Sequence, residues 1–237
     1  MERKVIRQLT ILQRALTLPE NSLHSALKNY LQQPEDQIEH IVDSYIVDIV
    51  RGKTLFEIQT RNFYALRPKL SRLLEDYVVH IVHPIAAQKW IVRKNGSTKP
   101  RKRRKSPKHG TIYQIFDQLI YIPEYLSHPN LVIDVLLVEQ EDVWENDGRG
   151  SWRRKGWSLV DQRLIEVIEH HQYHSMDDLK LLFPPHIPPV FRNNDLALYA
   201  GIPLTLARKM TYTLTKAGLL SIQGKAGMAN LYTQVDL

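Results

Sequence analysis

The sequence predicts an α/β (α+β) fold, with a mixed central sheet flanked by helices and a smaller unit after it. Near-continuous apolar runs rich in Val and Ile recur at residues 45–60, 77–93 and 131–138, as expected of strands buried on both faces. Apolar residues at helical spacing separate these runs, at Leu66, Leu70, Leu73, Leu74 and Tyr77, and again at Ile112, Ile115, Phe116, Leu119 and Ile120. From residue 158 the spacing turns helical, and Leu164, Val167 and Ile168 predict a helix. Strands interleaved with helices argue for parallel as well as antiparallel neighbours in the sheet.

Composition narrows the function classes. A chain of 237 residues holds one large domain or two modest ones, and 43% hydrophobic residues argue against wholesale disorder. The absence of cysteine excludes disulfides, thiolate zinc sites and cysteine nucleophiles. No apolar run reaches the roughly 18 residues that suggest a membrane span, and the first residues lack a signal-peptide pattern. The expectation is a cytoplasmic protein with no membrane partner. A net charge of +7 points to an anionic partner, and nucleic acid with a nucleoid location is the natural candidate.

Taken in order, Val5, Ile6, Leu9, Leu12 and Leu16 predict an opening amphipathic helix, interrupted by Pro19. A second helix follows over about residues 22–31, with Leu23, Leu27, Tyr30 and Leu31 on one stripe. The first strand is expected at residues 41–45, with Glu39 in the loop before it. Residues 45–60 then form two strands around Gly52-Lys53, with Gly at the first central position of a type II′ turn. That register sets Asp48 opposite Glu57, with Gln59 on the same face. Two carboxylates so placed lie about 5 Å apart and repel. A divalent cation is the simplest compensation, and a shared proton, an Arg or a Lys are alternatives.

The next helix is expected to begin near Arg67, with Pro68 in its first turn, bringing Lys69 to the sheet edge where Glu57 and Gln59 emerge. Arg61 is a candidate phosphate contact. His80 and His83, three apart on a strand, face opposite sides and read as core or rim histidines. Residues 94–110 form a basic loop in which Arg101, Lys102, Arg103, Arg104 and Lys105 can neutralise several phosphates. Residues 139–156 are polar, and Trp144, Trp152 and Trp157 fall in or beside them. This marks a domain boundary between residues 1–150 and 151–237, with the tryptophans packed at the joint.

An acidic residue on one strand, Glu-x-Lys on the next and then a helix characterise the PD-(D/E)xK nuclease superfamily. Asp48 with Glu57-Ile58-Gln59 resembles that pattern over about residues 20–95, with Gln59 where the family carries lysine. The resemblance implies Mg²⁺ or Mn²⁺ held by Asp48 and Glu57, with Glu39 as the nearest substitute for a further acidic ligand. It also implies Gln59 and Lys69 as the residues orienting an attacking water. Near the C-terminus, a short helix, the turn Gly201-Ile202-Pro203, a longer helix ended by Gly218 and a hairpin resemble a winged helix-turn-helix. That resemblance implies DNA contacts from Thr205, Arg208, Lys209 and Lys216 on the longer helix and from Lys225 in the wing. A nuclease followed by a winged helix also resembles the endonuclease subunit of some heteromeric transposases. The implied function is a metal-dependent endonuclease acting on double-stranded DNA, as a homodimer or with a protein partner. The alternative is a catalytically silent DNA-binding regulator or assembly factor on the same fold.

Overall fold

The computed structural model describes residues 22–94, 103–150 and 152–235. The helix expected over residues 1–18, together with Arg101 and Lys102, lies outside them. The architecture is α+β, built on a mixed seven-stranded sheet. Helix α1 (Ser22–Leu31) leads into strands β1 (Gln37–Val42), β2 (Tyr45–Arg51) and β3 (Thr54–Ile58), an antiparallel meander. Helix α2 (Arg67–Leu73), entered through a 3₁₀ turn at Phe63–Leu66, crosses over to β4 (Val78–Lys94), which lies parallel to β3. Strand β6 (Leu131–Asn146) is parallel to β4, and β7 (Trp157–Tyr173) returns antiparallel to β6 as an edge. The two-residue strand β5 (Arg104–Lys105) pairs with the far end of β4 at Ile91 and Trp90.

Alternation along the strands divides the core. Leu23 and Leu27 of α1 pack on Ile49, Phe56, Ile58, Val82, Leu136 and Val138. The opposite face carries Val47, Leu55, Val79, Ile81, Ile133 and Val135 against Leu66, Leu70 and Leu73. Gly52 takes φ +59° and Lys53 takes no positive φ, as a II′ turn demands, and Ile49 pairs with Phe56 in the expected register. Pro68 sits in the first turn of α2, where its missing N–H is no loss.

Three expectations are corrected. Leu164, Val167 and Ile168 belong to β7, not to a helix. Register shifts lie between Leu137 and Val138 and between Glu139 and Gln140, so Leu137 meets Glu169, Val138 meets Val167, and Gln140 meets Leu164. Each inserted residue turns a spacing of two into three, so Leu164 and Val167 share the α1 face while Ile165 and Ile168 stand exposed. Residues 139–156 are accordingly the distal ends of two long strands and their connection, and the sheet runs on to Tyr173 across the expected boundary. Residues 111–126, expected as one helix, form a 3₁₀ turn, helix α3 (Phe116–Leu119) and a second 3₁₀ turn begun by Pro123.

The remaining chain adds α4 (Met176–Lys180), α5 (Asn193–Ala200) and α6 (Leu204–Lys216). A three-stranded antiparallel sheet of β8 (Val190–Phe191), β10 (Ala229–Gln234) and β9 (Leu220–Ala226) closes it. Helix α5 is capped by Asp195, which accepts from the Arg192 backbone N–H at 2.8 Å, and α6 ends at Gly218 with φ +88°. Its core is continuous with that of the large sheet: Leu206, Ala207, Met210 and Leu214 join the same cluster as Ile115, Phe116 and Leu119. No helix among the described residues is long and apolar enough to cross a membrane.

Candidate active site

The II′ turn fixes β2 against β3 and carries Asp48 and Glu57 toward the open end of the hairpin. The backbone ladder stops at Ile49–Phe56, because the Asp48 carboxylate takes over and accepts from the Ile58 N–H at 2.8 Å. His24, from α1, places its Nε2 3.2 Å from the same Asp48 oxygen. Sequence reasoning did not single out His24, whose approach depends on where α1 crosses the sheet.

Glu57 projects to the α2 face. Its Oε2 accepts from Lys69 Nζ, which also donates to the Ile46 carbonyl at 2.5 Å. The side chains of Glu57 and Lys69 are 15% and 12% exposed, so the pair is largely withdrawn from water. Burial pushes the Glu57 carboxyl up to about 7; the Lys69 charge opposes this, and the Asp48 charge adds to it. A lysine thus relieves the carboxylate repulsion, as one of the alternatives foresaw, and it comes from the position expected of it.

The other candidates are placed less centrally. Glu39 lies inside β1 rather than in a preceding loop, with φ +50° and its carboxylate 2.6 Å from Lys28 Nζ. It falls between the pairs Ile38–Ile49 and His40–Val47, at the register position of Asp48, so three strands carry one acid each in a row. Among the described residues no three His, Asp or Glu side chains converge as a metal ligand set. The Gln59 amide turns to the next loop, donating to the Arg61 carbonyl at 2.6 Å and the Asn62 carbonyl at 3.3 Å. Its backbone carbonyl meets His83 Nδ1 at 2.7 Å, and burial lowers the His83 pKa. Arg61 is exposed, with its backbone thus engaged.

His80 and His83 do face opposite sides of β4, and both are buried. His80 Nδ1 lies 2.6 Å from one oxygen of Asp134, while His170 Nε2 and Gln172 Nε2 meet the other at 2.6 and 2.7 Å. This cluster ties β4, β6 and β7 together and was not expected. On α6, Thr205, Arg208, Tyr212 and Lys216 form an exposed stripe, whereas Lys209 is turned back to Asp117 of α3 at 2.7 Å. Lys225 is exposed on β9, paired with Asn230. In the basic segment Arg103 contacts Glu141 at 3.1 Å, and Arg104 and Lys105 form β5.

A family profile described as a domain of unknown function (DUF8091) matches residues 21–174. The chain belongs to the DUF8091 family. The DUF8091 match begins just before α1 and ends one residue after β7, so it coincides with the large sheet and its carboxylate site. An uncharacterized protein of Treponema pallidum (strain Nichols) is 28% identical over 218 residues, covering 91% of this chain and 86% of that protein. That similarity therefore extends beyond the DUF8091 region into the C-terminal unit. No solved structure matches the chain.

Proposed function

We propose that the protein is a metal-dependent endonuclease of the PD-(D/E)xK type, joined to a C-terminal winged helix that holds double-stranded DNA. One observation carries this: Asp48 and Glu57 stand on adjacent strands with Lys69 of the following helix against Glu57. Mg²⁺ is commonly held by one or two carboxylates with water and substrate phosphate completing its shell, and Asp48 and Glu57 supply that number. The cation, when bound, would lower the pKa of a coordinated water and stabilise charge on the phosphate. The chain's own residues set the site. Lys69 favours the ionised form of Glu57, the form that can ligate, while His24 and the Ile58 N–H orient Asp48. Helix α5, the turn at residues 201–203, helix α6 and the β9–β10 hairpin support the winged-helix reading, with Thr205, Arg208 and Lys216 on the free face.

The second reading is a DNA-binding regulator or assembly factor without catalysis. The Gln59 amide, which caps backbone carbonyls instead of facing the carboxylates, favours it.

Calorimetric titration of Mn²⁺ into wild type and an Asp48→Ala/Glu57→Ala double variant, with plasmid cleavage in the same buffer, separates the two. Binding and cutting that both vanish in the variant support the nuclease. Metal binding without cutting supports the silent reading. No metal binding by wild type in the presence of DNA overturns the carboxylate site altogether.

A further inference from the structure

The far end of the large sheet carries a second site, away from the carboxylates. All four tryptophans of the chain lie there: Trp90 on β4, Trp144 on β6, Trp157 on β7 and Trp152 in the connection between β6 and β7. Each has a guanidinium over its ring. Arg103 lies 4.1 Å from the Trp90 centroid, Arg154 4.9 Å from Trp144, Arg93 5.0 Å from Trp157 and Arg153 5.5 Å from Trp152. Trp90, Trp144 and Trp157 are partly exposed, and Trp152 is 84% exposed. A cleft of about 900 Å³ runs between these elements, walled by Trp144 and Trp157.

The charge in the cleft is strongly one-sided. Arg93, Arg104, Lys108, Arg153 and Arg154 line it and have no carboxylate partner among the described residues. Its acidic member, Asp142, is neutralised by Lys89 at 3.2 Å and accepts from Gln140 and Gln162 at 2.7 and 3.1 Å. A smaller cavity of about 330 Å³ shares Lys89, Ser106, Lys108 and Gln162 with the cleft and reaches Thr60 and His83. The cleft is therefore contiguous with a cavity that leads along β4 toward the strand end that follows Glu57-Ile58-Gln59.

We propose that this cleft binds single-stranded nucleic acid, with phosphates on its arginines and lysines and bases stacked on its indoles and guanidinium planes. A duplex offers phosphates to such a surface, but its bases are already stacked on one another. Indoles interleaved with cations select a strand whose bases are free, and they do so without regard to sequence. The site uses neither Glu57 nor a metal, so it stands or falls apart from the hydrolysis reading. Taken together with that reading, it assigns the unpaired part of a substrate to the distal cleft and the bond to be cut to the hairpin end.

Because Trp144 and Trp157 wall the cleft, quenching of intrinsic fluorescence reports on its occupation. The full-length protein is titrated with a 12-nucleotide oligothymidylate at low salt in EDTA, which removes any metal-dependent event. Saturable quenching is expected, with an affinity that falls linearly in log–log terms as salt rises. An Arg93→Glu/Arg154→Glu variant with an unchanged far-UV circular dichroism spectrum should bind at least about tenfold more weakly. Arg104→Glu, on the exposed β5, gives a second test should the double variant fail to fold. Absence of quenching, or wild-type affinity in folded charge-reversal variants, overturns the proposal. A 12-base-pair duplex or an inorganic polyphosphate that competes as well as the oligothymidylate overturns the assignment to single strands.

Discussion

Replacing Asp134 by Asn tests how β4, β6 and the edge strand β7 are held together. Asp134 is 1% exposed. Burial alone would push its pKa up; hydrogen bonds from His170, His80 and Gln172, with the His80 charge, outweigh this and bring it to about 2, against 3.8 for the free side chain. A carboxylate depressed in the folded state adds stability above its unfolded pKa and loses it as pH falls through the folded one. The difference corresponds to about 2 kcal/mol, present at pH 5 and above and lost between about pH 4 and pH 2. Urea denaturation followed by circular dichroism, at steps from pH 7 to pH 2.5, gives the stability of wild type and Asp134→Asn at each pH. Wild type should be the more stable above pH 5, and the gap should narrow by more than half toward pH 2.5. Two curves running parallel over that range would mean that the histidines do not hold Asp134 as a carboxylate.

Further outcomes follow from other contacts. Lys69→Met removes the positive charge that opposes the rise at Glu57, so the Glu57 carboxyl should titrate higher still. Carbon-13 NMR of the glutamate carboxyl resonances checks this, and an unmoved titration would mean that the ion pair does not govern Glu57. Since that carboxyl must be ionised to ligate, Mn²⁺ affinity of wild type should drop as pH falls below about 7. Arg51 donates to both Asp36 oxygens at 2.9 and 2.7 Å and to the Leu31 carbonyl at 2.9 Å, tying the end of α1 to β2. Arg51→Ala takes the guanidinium from a half-buried Asp36, which keeps the Gln33 N–H at 2.7 Å, and should cost about 1–2 kcal/mol in chemical denaturation, whereas an unchanged stability would contradict the contact. Gly150→Ala would place a Cβ 2.1 Å from the Trp157 carbonyl oxygen. It should destabilise by about 2 kcal/mol and alter tryptophan emission, and an unchanged spectrum and melting temperature would refute that packing.

The parts of the fold that were legible are those fixed over short distances. A two-residue turn dictates the Ile49–Phe56 register that brings Asp48 and Glu57 to the open end of the hairpin, and a proline near the start of α2 dictates where Lys69 emerges. The pairing of Glu57 with Lys69 spans 12 residues and follows from both. His24 and the Asp134 cluster were not legible, because partners 24 to 54 residues apart meet through helix and strand packing that no local pattern records. Strand β7 was misassigned for a physical reason: its inserted residues give Leu164 and Val167 the spacing of a helix. The tryptophans at the expected joint proved to line strand ends, since polar composition marks where strands outrun the core as readily as where a domain stops.

Those inserted residues in β7 have a consequence for association. The strand is 17 residues long and forms one edge of the sheet, so among the described residues no further strand lies beside its outer backbone groups. A straight, apolar edge of that length would be a template on which a second copy could add its own strand and begin a chain of sheets. The register shifts bend and overtwist the strand, breaking the even spacing of donors and acceptors that an incoming strand would need. Arg163, Glu166 and Glu169, all exposed, place charge along the same strand. What disguises β7 in the sequence thus also makes its outer edge a poor template for another strand.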